Sequence, residues 1–204
     1  ISKKCAVIDT NGKQLTNLIF EKPLMLRGFS EGVAIVKYEG RDHFIDNKGN
    51  LILPNNYLRI SNFYKGYAVV SKNIDNDYNT KDGVIDRNGN LVIDFLFESL
   101  SVFGEGLVSY KSGGKYGYID KNGSIIIEAQ FEDAYPFQDG LAAVSVGKDC
   151  SFIGKIKCSY GFINKSGKYV INPMYDFASF FSDGLAYVLV NKKVGYINKN
   201  GDEI

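Results

Sequence analysis

The sequence has no tryptophan, one histidine, three cysteines and four prolines in 204 residues. No apolar stretch approaches the ~20 residues that would span a bilayer as a helix. Basic and acidic residues nearly cancel, 24 against 23, and no Lys/Arg run exceeds two residues. Nucleic-acid binding leaves a basic footprint, so that class of partner is not expected. With His43 as the single histidine, a His-based metal site would have one nitrogen ligand, and the cysteine spacing fits no zinc pattern. His43 therefore reads as a structural strand residue. No phosphate-cradling glycine loop followed by Lys-Ser/Thr is present. No cofactor, metal or catalytic residue is expected. Low-complexity breaks are also missing, which argues for one continuous body over residues 1–204.

What the chain does contain is repetition. Ile-Asp/Asn-x-x-Gly occurs six times, ending at Gly12, Gly49, Gly89, Gly123, Gly167 and Gly201. Phe-x-x-Gly occurs five times, starting at Phe29, Phe63, Phe103, Phe137 and Phe181. The two patterns interleave at 17 residues, as from Gly49 to Gly66 and from Gly106 to Gly123, so the unit is 34 residues. The units run approximately 1–28 (partial), 29–62, 63–102, 103–136, 137–180 and 181–204 (partial). Extra length enters mainly after the Phe-x-x-Gly strand: Gly66 to Gly89 is 23 residues and Gly140 to Gly167 is 27. Insertions confined to one connection mark a loop on one face of the array.

Each unit reads as three strands. After Phe-x-x-Gly, small or β-branched residues alternate: Ala34, Ala68, Val108, Ala142 and Ala186 two places on, then Val36, Val70, Tyr110, Val144 and Val188 four places on. These share one buried face. The residue between them varies from Ser109 to Tyr187, as a less confined face allows. A second strand ends in the Ile of Ile-Asp-x-x-Gly, whose Asp and Gly are turn chemistry. A calcium loop would need further oxygen ligands and a closing Glu, and Asp120-Lys121-Asn122-Gly123 continues as Ser124-Ile125-Ile126. A third strand follows, then an aromatic: Phe20, Tyr57, Phe97, Phe131 or Tyr175. The two aromatics per unit are expected to anchor the core between neighbours. Glu31, Glu105, Asp139 and Asp183 recur just before the Phe-x-x-Gly glycine, which gives them a turn role.

Lys115-Tyr116-Gly117-Tyr118-Ile119-Asp120-Lys121-Asn122-Gly123 and Ile171-Asn172-Pro173-Met174-Tyr175-Asp176 resemble the bacterial WG repeat, across essentially the whole chain. Tyr116, Tyr160 and Val194 stand where that family has its tryptophan, and Cys5, Asp42 and Asp82 stand there in the first three units. The resemblance implies a non-enzymatic module, often part of a long or cell-envelope protein, and transfers no catalytic residue. The fold is expected to be all-β: a tandem array of about five three-stranded antiparallel repeats, open and solenoid-like, with a closed propeller as the alternative.

Beginning on Ile1, the chain reads as a piece or a processed form of a longer protein, which leaves export open. The expected role is protein interaction or scaffolding, with glycan or cell-envelope polymer binding as the alternative. The two insertions, 73–82 and 147–159, break the sameness of the repeats. They offer Tyr78, Phe152, Lys155 and Lys157 as partner contacts. Cys150 and Cys158 lie symmetrically about Gly154, so a hairpin there would bring them within disulfide reach. Such a bond favours an oxidising compartment, and an extracytoplasmic or envelope location is expected over the cytoplasm.

Overall fold

The structure, a computed structural model, describes residues 4–17, 19–21, 28–53, 57–75, 79–147 and 158–204. Among them there is no helix, and the strands form five small antiparallel sheets, none closed into a barrel. The chain forms two compact units, Ile1–Leu96 and Phe97–Ile204.

The second unit holds three sheets in chain order. The first runs Ser99–Leu100, Leu107–Ser112, Lys115–Asp120, Ile125–Phe131. The next runs Asp133–Ala134, Ala142–Gly147, Cys158–Ile163, Tyr169–Tyr175. The last has three strands, Phe177–Ala178, Leu185–Val190 and Lys193–Asn198. The first unit holds a five-stranded sheet from Lys4–Cys5 to Leu51–Ile52, and a four-stranded sheet from Arg59–Ile60 to Leu91–Phe97. Each complete repeat thus has four strands where the sequence suggests three. The extra one is two residues long, too short to show a period.

Two kinds of turn build every sheet. At Ile-Asp-x-x-Gly, the Asp120 carboxylate accepts from the N–H of Asn122 (2.8 Å) and of Ser124 (2.9 Å), and Gly123 takes φ 82°. Asp46, Asp86, Asn164 and Asn198 repeat this geometry. The side chain satisfies its own backbone, which is why Asp or Asn stands there. At Phe-x-x-Gly, the two residues after Ser30, Gly104, Gln138 and Ser182 both have positive φ, as at Asp139 (52°) and Gly140 (86°). This is the two-residue hairpin turn whose twist matches the strands. The insertions fall in the next hairpin, between Tyr67–Asn73 and Thr80–Asp86 and between Ala142–Gly147 and Cys158–Ile163. Where nothing is inserted, Gly113-Gly114 or Asn191-Lys192 closes it with positive φ at both places.

The strand face read from alternation is the core: Ala68, Val70, Val108, Tyr110, Ala142, Val144, Ala186 and Val188 are all buried. The opposite face departs from expectation, because Ser109 and Ala143 are buried too while Tyr187 is exposed. Small residues stand where the neighbouring sheet closes over that face. Within each unit, the Phe-x-x-Gly ring of the following sheet packs on an aromatic of the sheet before it. The ring centroids are 5.0 Å apart for Phe44 and Phe63, and 4.8 Å apart for both Tyr118–Phe137 and Phe162–Phe181. Such pairs contribute about 0.5–1.5 kcal/mol beyond their buried area.

A bulge completes the packing. In the register of Lys115–Asp120 with Ile125–Phe131, Tyr118 faces Ile127 but Tyr116 faces Phe131. The bulged segment presses on Gly117: a Cβ there would sit 2.4 Å from the Ile127 carbonyl oxygen and 2.7 Å from the Ala129 nitrogen. Gly161 is enclosed in the same way by Ile171–Pro173. Before these glycines stand the half-buried Tyr116 and Tyr160. At the equivalent place in the first unit, buried Asp82 accepts from the Ser71 hydroxyl at 2.6 Å and lies 3.8 Å from Arg59. His43 packs edge-on against Tyr38 at 5.7 Å, a structural contact.

Candidate binding surface

The recurring acidic residues do more than shape their own turns. The Glu31 carboxylate accepts from the Lys65 N–H (2.5 Å) and the Gly66 N–H (3.0 Å), which belong to the next repeat's turn. Glu105 reaches Gly140 at 3.1 Å, and Asp139 reaches Gly184 at 2.7 Å. A cation from that same following repeat joins them: Arg87 pairs with Glu31, and Lys165 with Glu105 at 3.0 Å. The Arg87 hydrogen bond is the largest influence holding the Glu31 carboxyl below its usual range. Burial pushes Glu105 upward, but its hydrogen bonds from Lys165 and Gly140 outweigh that and lower it. The Ser30 hydroxyl adds a 2.7 Å hydrogen bond to the Phe63 carbonyl. Consecutive sheets within each unit are therefore held by ring, carboxylate and, where Ser precedes the acid, hydroxyl.

On the Phe177–Asn198 sheet, no described residue covers the same three groups. Tyr196 is 54% exposed, whereas its equivalents Tyr118 and Phe162 are 0%. Asp183 and the Ser182 hydroxyl have no hydrogen bond among the described residues. With Tyr135, Phe177, Ser179, Phe180, Leu185 and Tyr187 they line a cleft of about 630 Å³. Its floor is a ring cluster: Phe177 stacks on Tyr187 at 5.5 Å and meets Tyr160 at 5.4 Å and Tyr135 at 6.3 Å. Burial, reinforced by the Asp133 charge, pushes the Tyr160 hydroxyl up to about 12, and the same causes raise Tyr135. These phenols remain protonated donors across the physiological range. Exposed aromatic rings beside a few polar groups form a recognition surface, since Tyr combines large contact area with a polar tip.

The sequence-predicted contacts Tyr78, Phe152, Lys155 and Lys157 all lie outside the described residues, as does Cys150. Cys158 opens its strand, is buried and is disulfide-bonded, and Cys5 is a free thiol. The terminal face is not singled out by sequence reasoning. Its one signal is Tyr187, a bulky ring in the place where Ser109 and Ala143 stand in the two preceding repeats. Among the described residues, no group of three or more His, Cys, Asp and Glu could hold a metal ion, and no helix is long and apolar enough to cross a membrane.

The family model of the WG containing repeat matches this chain five times, at residues 7–41, 44–73, 83–116, 116–148 and 160–193. No curated protein matches. Among solved structures, the chain is similar to one described as the crystal structure of the eukaryotic initiation factor, at 14% identity and a TM-score of 0.54. The match covers 84% of this chain and 51% of that one, so this chain spans about half its length. At that identity the likeness concerns the fold alone.

Proposed function

Because this chain belongs to the WG containing repeat family, we propose that it is a non-catalytic module for protein interaction or scaffolding. The observation that supports the reading is the exposed pair Tyr187 and Tyr196, set with Phe180 beside Ser179 and Asp183 on the Phe177–Asn198 sheet. A surface built from exposed Tyr rings over a rigid sheet loses little side-chain entropy on binding. The insertions that carry Tyr78 and Phe152 are a second contact zone in this proposal. The disulfide at Cys158 fits an oxidising compartment and so an extracytoplasmic or envelope location.

The test is capture of a crosslinked native partner by the wild type and by a Tyr187→Glu, Tyr196→Glu double variant. Both side chains are exposed, so the variant keeps its fold by circular dichroism. Loss of capture is the expected result, and unchanged capture refutes the face as the site.

Glycan binding is the alternative reading, favoured by the cleft itself. Rings of Tyr187 and Tyr196 beside Ser179, Ser182 and Asp183 offer stacking and hydrogen bonds of the kind sugars use. A glycan array without hits, or hits indifferent to Tyr187→Ala, removes it.

A further inference from the structure

We propose that a cleft in the first compact unit binds a phosphomonoester, with its phosphate among Lys37, Arg41 and Lys72 and its organic part on Tyr57 and Leu58. The site is formed wholly within that unit and does not depend on the reading of Tyr187 and Tyr196. It arises where one repeat departs from a rule that the others keep.

An acid follows the recurring aromatic in four places: Glu21, Glu98, Glu132 and Asp176, after Phe20, Phe97, Phe131 and Tyr175. Three of these carboxylates accept from the tip of the hairpin that follows. Glu21 takes the Gly40 N–H at 2.9 Å, Glu98 the Gly113 N–H at 2.7 Å and Asp176 the Asn191 N–H at 2.7 Å. Glu132 takes a cation from the sheet before it, pairing with Lys115. After Tyr57 the same place holds Leu58, which is 56% exposed. Arg41 stands where Lys115 stands, one place before Asp42 as Lys115 is before Tyr116. The acid that would pair with Arg41 by that rule is replaced by an apolar side chain.

Leu58 lies in a cleft of about 500 Å³ with Tyr57, Lys37, Arg41, Asp42 and Lys72. Three cations against the Asp42 carboxylate leave +2 there, in a chain whose total is +1. Lys72 also faces Lys81 directly across its hairpin, and like charges so placed repel. None of these four cations forms an ion pair among the described residues. A phosphomonoester carries about −1.5 to −2 at neutral pH on strong acceptor oxygens, which balances the cleft where a single carboxylate does not. Tyr57 and Leu58 form an apolar wall beside the cations. A bare ion would leave that wall wet, whereas an organic group laid on it removes apolar surface from water. The ligand thus supplies the charge that Leu58 displaces.

The probe is phenyl phosphate, titrated into the isotope-labelled chain and followed by backbone amide shifts, with benzoate and inorganic phosphate as controls. Saturable shifts centred on residues 37–42, 57–58 and 72–73 are expected, at lower concentration for phenyl phosphate than for either control. An Arg41→Glu, Lys72→Glu double variant should weaken binding about ten-fold or more, because charge-assisted hydrogen bonds are lost. Leu58→Glu gives this repeat the acid of the others. It should abolish binding while the melting temperature stays the same or rises, a combination that a misfolded variant would not give. Absence of saturable shifts at millimolar phenyl phosphate, or equal affinity in the wild type and Leu58→Glu, overturns the proposal. Benzoate binding as tightly overturns the phosphate assignment, and inorganic phosphate binding as tightly overturns the role of the apolar wall. A phosphotyrosine peptide separates the two sources of such an ester. Tighter binding than phenyl phosphate places the group on a partner protein, and weaker binding places it on a small molecule.

Discussion

Substituting alanine at Gly117, Gly161 and Gly195 gives three chemically identical changes that the structure separates sharply. At Gly117 the new methyl would lie 2.4 Å from the Ile127 carbonyl oxygen, 2.7 Å from the Ala129 nitrogen and 2.8 Å from the Glu128 carbonyl carbon. Its neighbours are backbone, not flexible side-chain ends, so the bulged strand must retreat by at least 0.6 Å to restore a 3.0 Å contact. Overpacking of this kind costs about 1–3 kcal/mol. One or two ladder hydrogen bonds weakened alongside it add about 1 kcal/mol each. The reduced entropy of the unfolded chain returns roughly 0.4–1 kcal/mol. A net loss of about 2–4 kcal/mol is expected, and the same at Gly161, where the Ile171 oxygen lies at 2.6 Å. For a chain of this size that is a fall in Tm of about 4–16 °C. At Gly195 nothing lies within 4 Å, because no strand of the described residues bulges over the last sheet. Gly195→Ala should change stability by less than about 0.5 kcal/mol. Thermal and urea unfolding of the three variants provide the measurement. Equal losses at all three, or none at Gly117 and Gly161, would refute the close-approach account of these glycines.

Asp139→Gly should cost about 1–2 kcal/mol by removing the carboxylate from the Gly184 N–H, while Asp183→Gly should be nearly neutral, since glycine suits positive φ at both places. Alkaline unfolding is expected as pH rises from about 10 towards 12. Tyr118, buried, and Tyr160, half-buried, bind their protons more tightly folded than unfolded, so their contribution is whole below the unfolded value and lost through the folded one. A spectrophotometric phenol titration should show these two ionising together with loss of circular dichroism. In acid the sign reverses: Glu31, Asp46 and Asp86 have lowered values, so their contribution is present above about pH 4.5 and drains away below it, a loss that Glu31→Gln should blunt. Thiol alkylation of the denatured, unreduced chain should label Cys5 alone, and all three cysteines after reduction. Three labels without reductant would remove the disulfide.

The turns and the core face were legible because each residue's task is local. Asp46 or Asp120 caps its own backbone, and Ala142 and Val144 alternate on one strand, so spacing alone reveals them. The two-residue strands Ser99–Leu100 and Asp133–Ala134 were not legible, since pairing with the next strand creates them rather than any pattern within. The forward reach of Glu31 and Asp139 was also hidden, because a turn role accounts for an acid beside glycine without calling on the next repeat. Exposure was the hardest to foresee. Tyr196 and Tyr118 have the same sequence setting, Gly-Tyr-Ile, and differ only in whether another sheet lies above them.

At three joints, those of Glu31, Glu105 and Asp139, the carboxylate of one repeat grasps an amide of the repeat that follows it. Such a joint has an arrow. Whole repeats can be gained or lost by duplication or deletion of the coding sequence, and each new boundary still joins a giver to a taker. Loss or gain of half a unit would set two givers or two takers face to face, whereas extra length in a hairpin loop leaves the joint intact. Families built on this joint should therefore vary by whole repeats.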